Sequence, residues 1–254
     1  MEAETIKSFR ITLAEPKILK DSILIVSELI QEANLKIKPD SIELTAMDPA
    51  NVSMVILRLY SSMFAEYNVG QEMALGINLS NLKQVLKRSG PNDMLTMEFE
   101  EGRLRIKLAG ATSRTFTLPL MDIEEKEAKI PELTFPLKVL TNSALISEAI
   151  QDIAIVSEAT TFTVDSKMLS ISGRGDTSNA DIEIPAGENT KITAPNNKVT
   201  SKYSIEYLQK LVNGAKLSEN VALEFNKDYP LRMQFKEEGK FDLAFILAPR
   251  VDND

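Results

Sequence analysis

Residues 95–99 read Leu-Thr-Met-Glu-Phe, and residues 221–225 read Val-Ala-Leu-Glu-Phe, the same alternation with the same Glu-Phe ending 126 positions later. The chain has 254 residues, so this offset is almost half its length. The correspondence extends in both directions. At an offset of 126, Phe9, Ile11 and Leu13 fall on Phe135, Leu137 and Val139, and Leu82, Val85 and Leu86 fall on Leu208, Leu211 and Val212. At 127, Leu35, Ile37, Ile42 and Leu44 meet Phe162, Val164, Leu169 and Ile171, and Phe116, Leu118 and Leu120 meet Leu243, Phe245 and Leu247. Identities are few, but order and offset hold along the whole chain. The sequence reads as two copies of one domain.

Periodicity assigns the elements within a copy. Residues 8–13 alternate, as a half-buried strand does. Glu15-Pro16 opens a helix with Pro in a tolerated early position and an apolar stripe of Leu19, Ile23, Val26 and Ile30. Strands follow at 35–37 and 42–44 around the turn residues Pro39-Asp40, and another at 52–59. A second strand at 73–77 leads to a helix that Ser80 is expected to cap. Strands at 95–99, 104–108 and 115–120 close the copy. The order β-α-β-β-β, twice per domain, predicts an α+β fold with four helices and mostly antiparallel sheets. Boundaries follow: domain one at 1–120, a connector at 121–133 carrying Asp122, Glu124, Glu125, Glu127 and Glu132, and domain two at 134–254. A charge run of this kind reads first as a solvated linker.

Composition limits the chemistry. The chain has no His, Cys or Trp. Disulfides, thiolate nucleophiles, iron–sulfur clusters, the usual zinc sites and Ser–His–Asp triads are therefore excluded. The 10 Gly form no phosphate-cradling loop, and no cofactor or metal site is expected. Carboxylates are abundant, so a carboxylate-based hydrolase is the remaining catalytic alternative, with no pair singled out. The opening MEAETIKSFRITL lacks a basic signal-peptide region, and no apolar run nears the roughly 20 residues that span a bilayer. The sequons at Asn51 and Asn78, and the RGD tripeptide at 174–176, carry little weight in that setting. A cytoplasmic address is expected, or a nuclear one in a eukaryote.

Charge distribution is more telling than the total. Lys+Arg number 29 against 37 Asp+Glu, a formal net charge of −8, which argues against simple coating of nucleic acid. Yet Lys17 and Lys20 share a face of the first helix, Lys83 and Lys87 share one on the second with Arg88 adjacent, and Lys210 and Lys216 lie on and just beyond the fourth. For any single helix the plain reading is a solvated outer face. The third helix, about 143–157, carries instead the acidic pair Glu148 and Asp152. That exception suits a helix meeting a basic helix on another subunit. The terminal strand at 112–120 has no evident partner, and a head-to-tail contact between unlike edges closes a ring or grows a fibre.

Residues 44–57 (LTAMDPANVSMVIL), the connector 121–133 (MDIEEKEAKIPEL) and residues 246–252 (ILAPRVD) resemble the proliferating cell nuclear antigen family of DNA sliding clamps, nearest its archaeal form. The resemblance covers the full chain. It implies a trimeric ring with helices lining a central hole, encircling duplex DNA without sequence preference, with no enzymatic activity. It implies pore-lining roles for Lys20 and Lys87, with Lys17, Lys83, Lys210 and Lys216 on the right helices; Glu206 and the acidic third helix depart from the pattern. It implies a hydrophobic partner pocket under the connector at Met47, Val52, Ile130, Pro131, Pro230, Ile246, Ala248 and Pro249. That pocket would take PIP-type peptides, carrying a Gln and apolar anchors, from DNA polymerase, clamp loader, flap endonuclease and DNA ligase. Taken singly, Met47, Val52 and Pro249 read as core residues. It also implies that the strands 112–120 and 178–184 pair between subunits, with Arg88 and Arg114 facing Glu148 and Asp152. A homotrimer is expected; a subunit of an obligate heterotrimer is the alternative.

Overall fold

Alternating apolar residues become paired strands, and the pairing tests the repeat. The computed structural model describes residues 8–100, 102–124, 130–195 and 197–250. In the first half, β1 (Phe9–Leu13) leads to α1 (Lys17–Val26), followed by β2 (Glu32–Ile37), β3 (Ser41–Met47), β4 (Ser53–Tyr60) and the short β5 (Glu66–Val69). Then come β6 (Met73–Asn78), α2 (Leu79–Leu86), β7 (Met94–Glu100), β8 (Arg103–Ala109) and β9 (Ser113–Pro119). In the second half, β10 (Leu137–Asn142) leads to α3 (Ser143–Ala154), β11 (Ala159–Val164), β12 (Met168–Arg174), β13 (Asn179–Pro185) and the short β14 (Lys191–Thr193). The chain continues with β15 (Val199–Ser204), α4 (Ile205–Leu211), β16 (Asn220–Phe225), β17 (Leu231–Glu237) and β18 (Phe241–Leu247). The β-α-β-β-β order therefore occurs twice per half. One short strand is added in each, β5 on β1 and β14 on β10, both antiparallel.

Two compact units result. One comprises Met1–Ala46, Ile56–Ala128 and Glu237–Asp242; the other comprises Met47–Val55, Lys129–Lys236 and Leu243–Asp254. The first contains the sheet β5-β1-β7-β8-β9, in which β9 is an edge. Phe9 stands opposite Phe99 there, with ring centroids 6.4 Å apart. The second contains the sheet β13-β12-β11-β15, in which β13 is an edge. Its core gathers Phe162, Tyr203 and Phe225 edge to face at 5.6–6.3 Å, all fully buried.

The structure corrects several sequence readings. Phe9 pairs with Phe99 while Leu137 pairs with Phe225, so the first strands match at 137 − 9 = 128 rather than 126. A slip of two residues keeps every side chain on its own face, so alternation alone cannot detect it. Helix α1 ends at Val26; Ile30 is buried beyond it, in the approach to β2. Helix α2 is capped by Asn78, whose Oδ1 accepts from the Asn81 N–H at 3.0 Å, and Ser80 lies inside the helix. The fourth helix is α4 followed by a 3-10 segment, Val212–Lys216, which contains Lys216.

Candidate functional site

The apolar groove expected around 47–52, 130–131, 230 and 246–249 falls wholly within the second unit. Its rim is a turn built around one carboxylate. Asp48, 5 % exposed, accepts the Val52 and Ser53 N–H groups at Oδ1, both at 2.7 Å. Its Oδ2 accepts the Ala50 N–H at 3.1 Å and the Tyr207 hydroxyl at 2.7 Å. Asn51 takes a left-handed φ of 58° at the apex, which Asn tolerates better than most residues. Burial pushes the Asp48 carboxyl up, but the Ser53 amide, the Tyr207 hydroxyl and the Val52 and Ala50 amides outweigh it and hold the pKa below the usual value. Burial, and then the bond to Asp48, raise the Tyr207 phenol to about 12.

The turn sets its neighbours. The Val52 carbonyl accepts the Ala248 N–H at 2.9 Å, and the Lys202 carbonyl accepts the Arg250 N–H at 2.7 Å, so the tail lies along the rim and then along β15. On the other side, the buried Tyr203 hydroxyl donates to the Tyr229 carbonyl at 2.8 Å, and Phe135 meets the Tyr229 ring edge-on at 5.9 Å. This frame fixes the backbone next to Pro230. Met47 is 39 % and Ile130 53 % exposed, so Met47 is not the core residue its sequence context suggests. Val52, Pro230, Ala248 and Pro249 are half-buried, and Pro131 is exposed. Ile246 is 8 % exposed and belongs to the buried part of β18. Within the first unit, the connector starts against β6: the Met121 N–H donates to the Gly76 carbonyl at 2.8 Å, and a Cβ on Gly76 would lie 2.1 Å from the Met121 oxygen. Glu125 and Glu127 of the connector lie outside the described residues.

The predicted basic residues are placed unequally. Lys17 and Lys87 are exposed. Lys20 donates to the Ser89 carbonyl at 3.1 Å, Lys83 pairs with Glu28 at 2.6 Å, and Lys216 donates to Asn213 at 2.9 Å. Lys210 pairs with Glu206 at 2.9 Å and stands 5.4 Å from the Tyr207 ring centroid. Lys83 and Lys210 keep 23 % and 32 % of their side chains exposed, and ion pairs at such positions contribute little to stability.

At the predicted interface residues, Glu148 and Asp152 are exposed on α3. With Leu145 at 40 % and Ile155 at 82 % exposure just past the helix, they form one stripe at helical spacing. Arg88 is exposed just after α2. Arg114, on edge strand β9, is engaged within its own chain: it forms an ion pair with Asp93 and donates to the Arg88 carbonyl at 3.0 Å. Asp93, 8 % exposed, also accepts the Gly90 N–H at 2.8 Å, so the pair shapes the turn that presents Arg88. Sequence reasoning missed Asp48, Asp93, Tyr203 and Tyr207. The spacing of turn residues around Asp48 and Asp93 hints at Asx-type turns, but their distant partners leave no local signal. No group of three or more potential metal ligands occurs, and no helix is long and apolar enough to cross a membrane, among the described residues.

Comparison with known proteins bears on the family and the fold of the whole chain. Residues 8–128 match the family described as proliferating cell nuclear antigen, N-terminal domain, and residues 129–250 match its C-terminal domain. A DNA polymerase sliding clamp of Thermococcus fumicolans is 34 % identical over 249 residues, covering 96 % of this chain and 99 % of that protein. One from Pyrococcus abyssi is 34 % identical over 248 residues, with the same coverage. Crystal structures of PCNA from Thermococcus kodakaraensis and Entamoeba histolytica superpose with TM-scores of 0.89 and 0.90 at 24 % identity. They cover 95 % and 97 % of this chain and all of theirs.

Proposed function

The chain belongs to the proliferating cell nuclear antigen family of DNA polymerase sliding clamps, and from that premise we propose that three copies close into a ring around duplex DNA and tether replication and repair proteins. The family is a non-enzymatic processivity factor, so the hydrolase alternative is set aside. In this reading, residues 1–120 and 134–254 are the two clamp domains and 121–133 is the connector. Their helices line the hole, and Lys17, Lys20, Lys83, Lys87, Lys210 and Lys216 meet phosphates. Phosphate contacts carry no sequence information, which suits a ring that slides. The acidic total keeps the remaining surface from adhering to DNA.

One observation supports closure above the others. Among the described residues, a single chain presents the sheet edges β9 and β13, together with a basic turn at Arg88 and an acidic, partly apolar stripe on α3. Unlike, complementary surfaces on one chain make heterologous contacts, which close when the rotation allows. Arg114 then contributes through Asp93 and the Arg88 turn. The 47–52, 130–131, 230 and 246–249 groove takes PIP-type peptides from polymerase, clamp loader, flap endonuclease and ligase, which seat their apolar anchors on it. The working compartment is the one that holds the DNA, cytoplasm in an archaeal cell and nucleus in a eukaryotic one.

Retention on DNA tests this reading. Loaded on a nicked circle, the protein should stay bound through a high-salt wash and be lost once the circle is cut. Equal loss from circular and linear DNA would contradict encirclement. A chain that assembles only with different companions would identify the heterotrimer alternative.

A further inference from the structure

The Asp48 turn is already complete without its fourth donor. The Ala50, Val52 and Ser53 amides would by themselves fold residues 48–53 around the carboxylate. The Tyr207 hydroxyl, 159 positions away in sequence, adds a bond of 2.7 Å that joins this turn to α4. From the turn, the Val52 carbonyl carries the connection to the Ala248 amide. The path Tyr207–Asp48–Val52–Ala248 is continuous and lies inside one unit. Lys210 stands over the same Tyr207 ring, so a candidate DNA-facing lysine and the groove rim share one side chain.

We propose that Tyr207 is a positioning residue of the partner groove, which through Asp48 holds Met47 and Val52, and through Val52 holds Ala248 and Pro249, in the arrangement a peptide meets. The proposal rests on the reading of that groove as the peptide site. Physically, the phenol removes freedom from a rim that is otherwise a half-exposed surface turn with a left-handed apex. A rim that samples other positions binds more weakly by the fraction of time it is misplaced. Phe at 207 keeps the ring beneath Lys210 and deletes only the bond to Asp48.

The test uses the full chain and a labelled synthetic peptide carrying a Gln followed by aliphatic and aromatic anchors, titrated by fluorescence anisotropy. Tyr207→Phe should weaken binding about 3- to 10-fold, less than a full hydrogen bond to a carboxylate contributes, because the peptide senses only the fraction of time the rim is misplaced. Native mass should stay unchanged. Hydrogen exchange should accelerate at the Val52 and Ser53 amides while those of α3 keep their protection, which a general loss of stability would not produce. Asp48→Ala combined with Tyr207→Phe should bind no more weakly than Asp48→Ala alone, because both act through one contact. Met47→Asp, at an exposed rim position, checks the underlying reading. If Met47→Asp loses binding while Tyr207→Phe binds as the unaltered chain does, the positioning role is wrong and the groove stands. If Met47→Asp binds normally, the groove itself is misassigned and the positioning role goes with it.

Discussion

Helices α1 and α3 occupy the same place in the two copies, yet one is basic and the other acidic. At an offset of 127, Leu19, Ser22, Ile23 and Val26 correspond to Ile146, Ala149, Ile150 and Ile153, and all eight are buried. The outward positions match less well: Glu148 falls on Asp21, but Lys17 and Lys20 fall on Ala144 and Ser147. Helix α1 carries Lys17 and Lys20, whereas α3 carries Glu148 and Asp152, and Ile155 stands where the first copy has Glu28. The repeat therefore preserves the stripe that packs and leaves the outer face free to change. That divergence separates the two helices in what they offer. In the proposed ring, helix α1 would present charge to phosphates, and α3 would present a surface to another copy of the chain.

The shared stripe carries the largest predicted effect. Ile23→Ala and Ile150→Ala should each cost about 2–5 kcal/mol of unfolding free energy, the usual range for truncating a buried Ile. Denaturant melts of the two variants would measure it, and a tolerated change in only one copy would mean that the stripes are not equivalent. Next comes the acidic face. Glu148→Lys with Asp152→Lys should weaken assembly by about 2 kcal/mol or more, from like charges brought against the Arg88 turn, and Arg88→Glu should restore part of it. Sedimentation at graded concentrations measures this; the same reversal at Lys17 and Lys20 should leave assembly alone.

Ile155→Glu, which gives the second copy the residue of the first, should raise the assembly dissociation constant about tenfold, or about 1.4 kcal/mol. An unchanged constant would place Ile155 in solvent. The smallest effect belongs to the basic face. Lys17→Ala should lower the slope of log affinity against log salt by about one. Glu148→Gln should not lower it.

Much of this was legible in sequence because period and charge are local properties. The alternation in residues 95–99 and 221–225, the helical stripes and the oddity of an acidic third helix all lie within short windows. The β-α-β-β-β order of elements along the chain followed from them. What escaped was either too short or too distant. Strands β5 and β14 have four and three residues, below what alternation can register. The two-residue slip of β1 against β10 leaves the pattern of faces intact. The groove residues were reached through family resemblance, and the frame that holds them was not reached at all. Asp48 and Tyr207 are 159 positions apart, and the phenol reads in sequence as one more helix residue. Arg114 shows the same limit: its charge and its strand were plain, but its ion pair with Asp93 depends on how β9 returns beside the 88–93 turn.

Native mass by light scattering, followed through a dilution series, tests the central claim most directly. Three copies of a 28.2 kDa chain amount to 84.6 kDa, and this mass should persist until dilution approaches the assembly constant. A mass of 28.2 kDa at every concentration would contradict a ring closed by this chain alone.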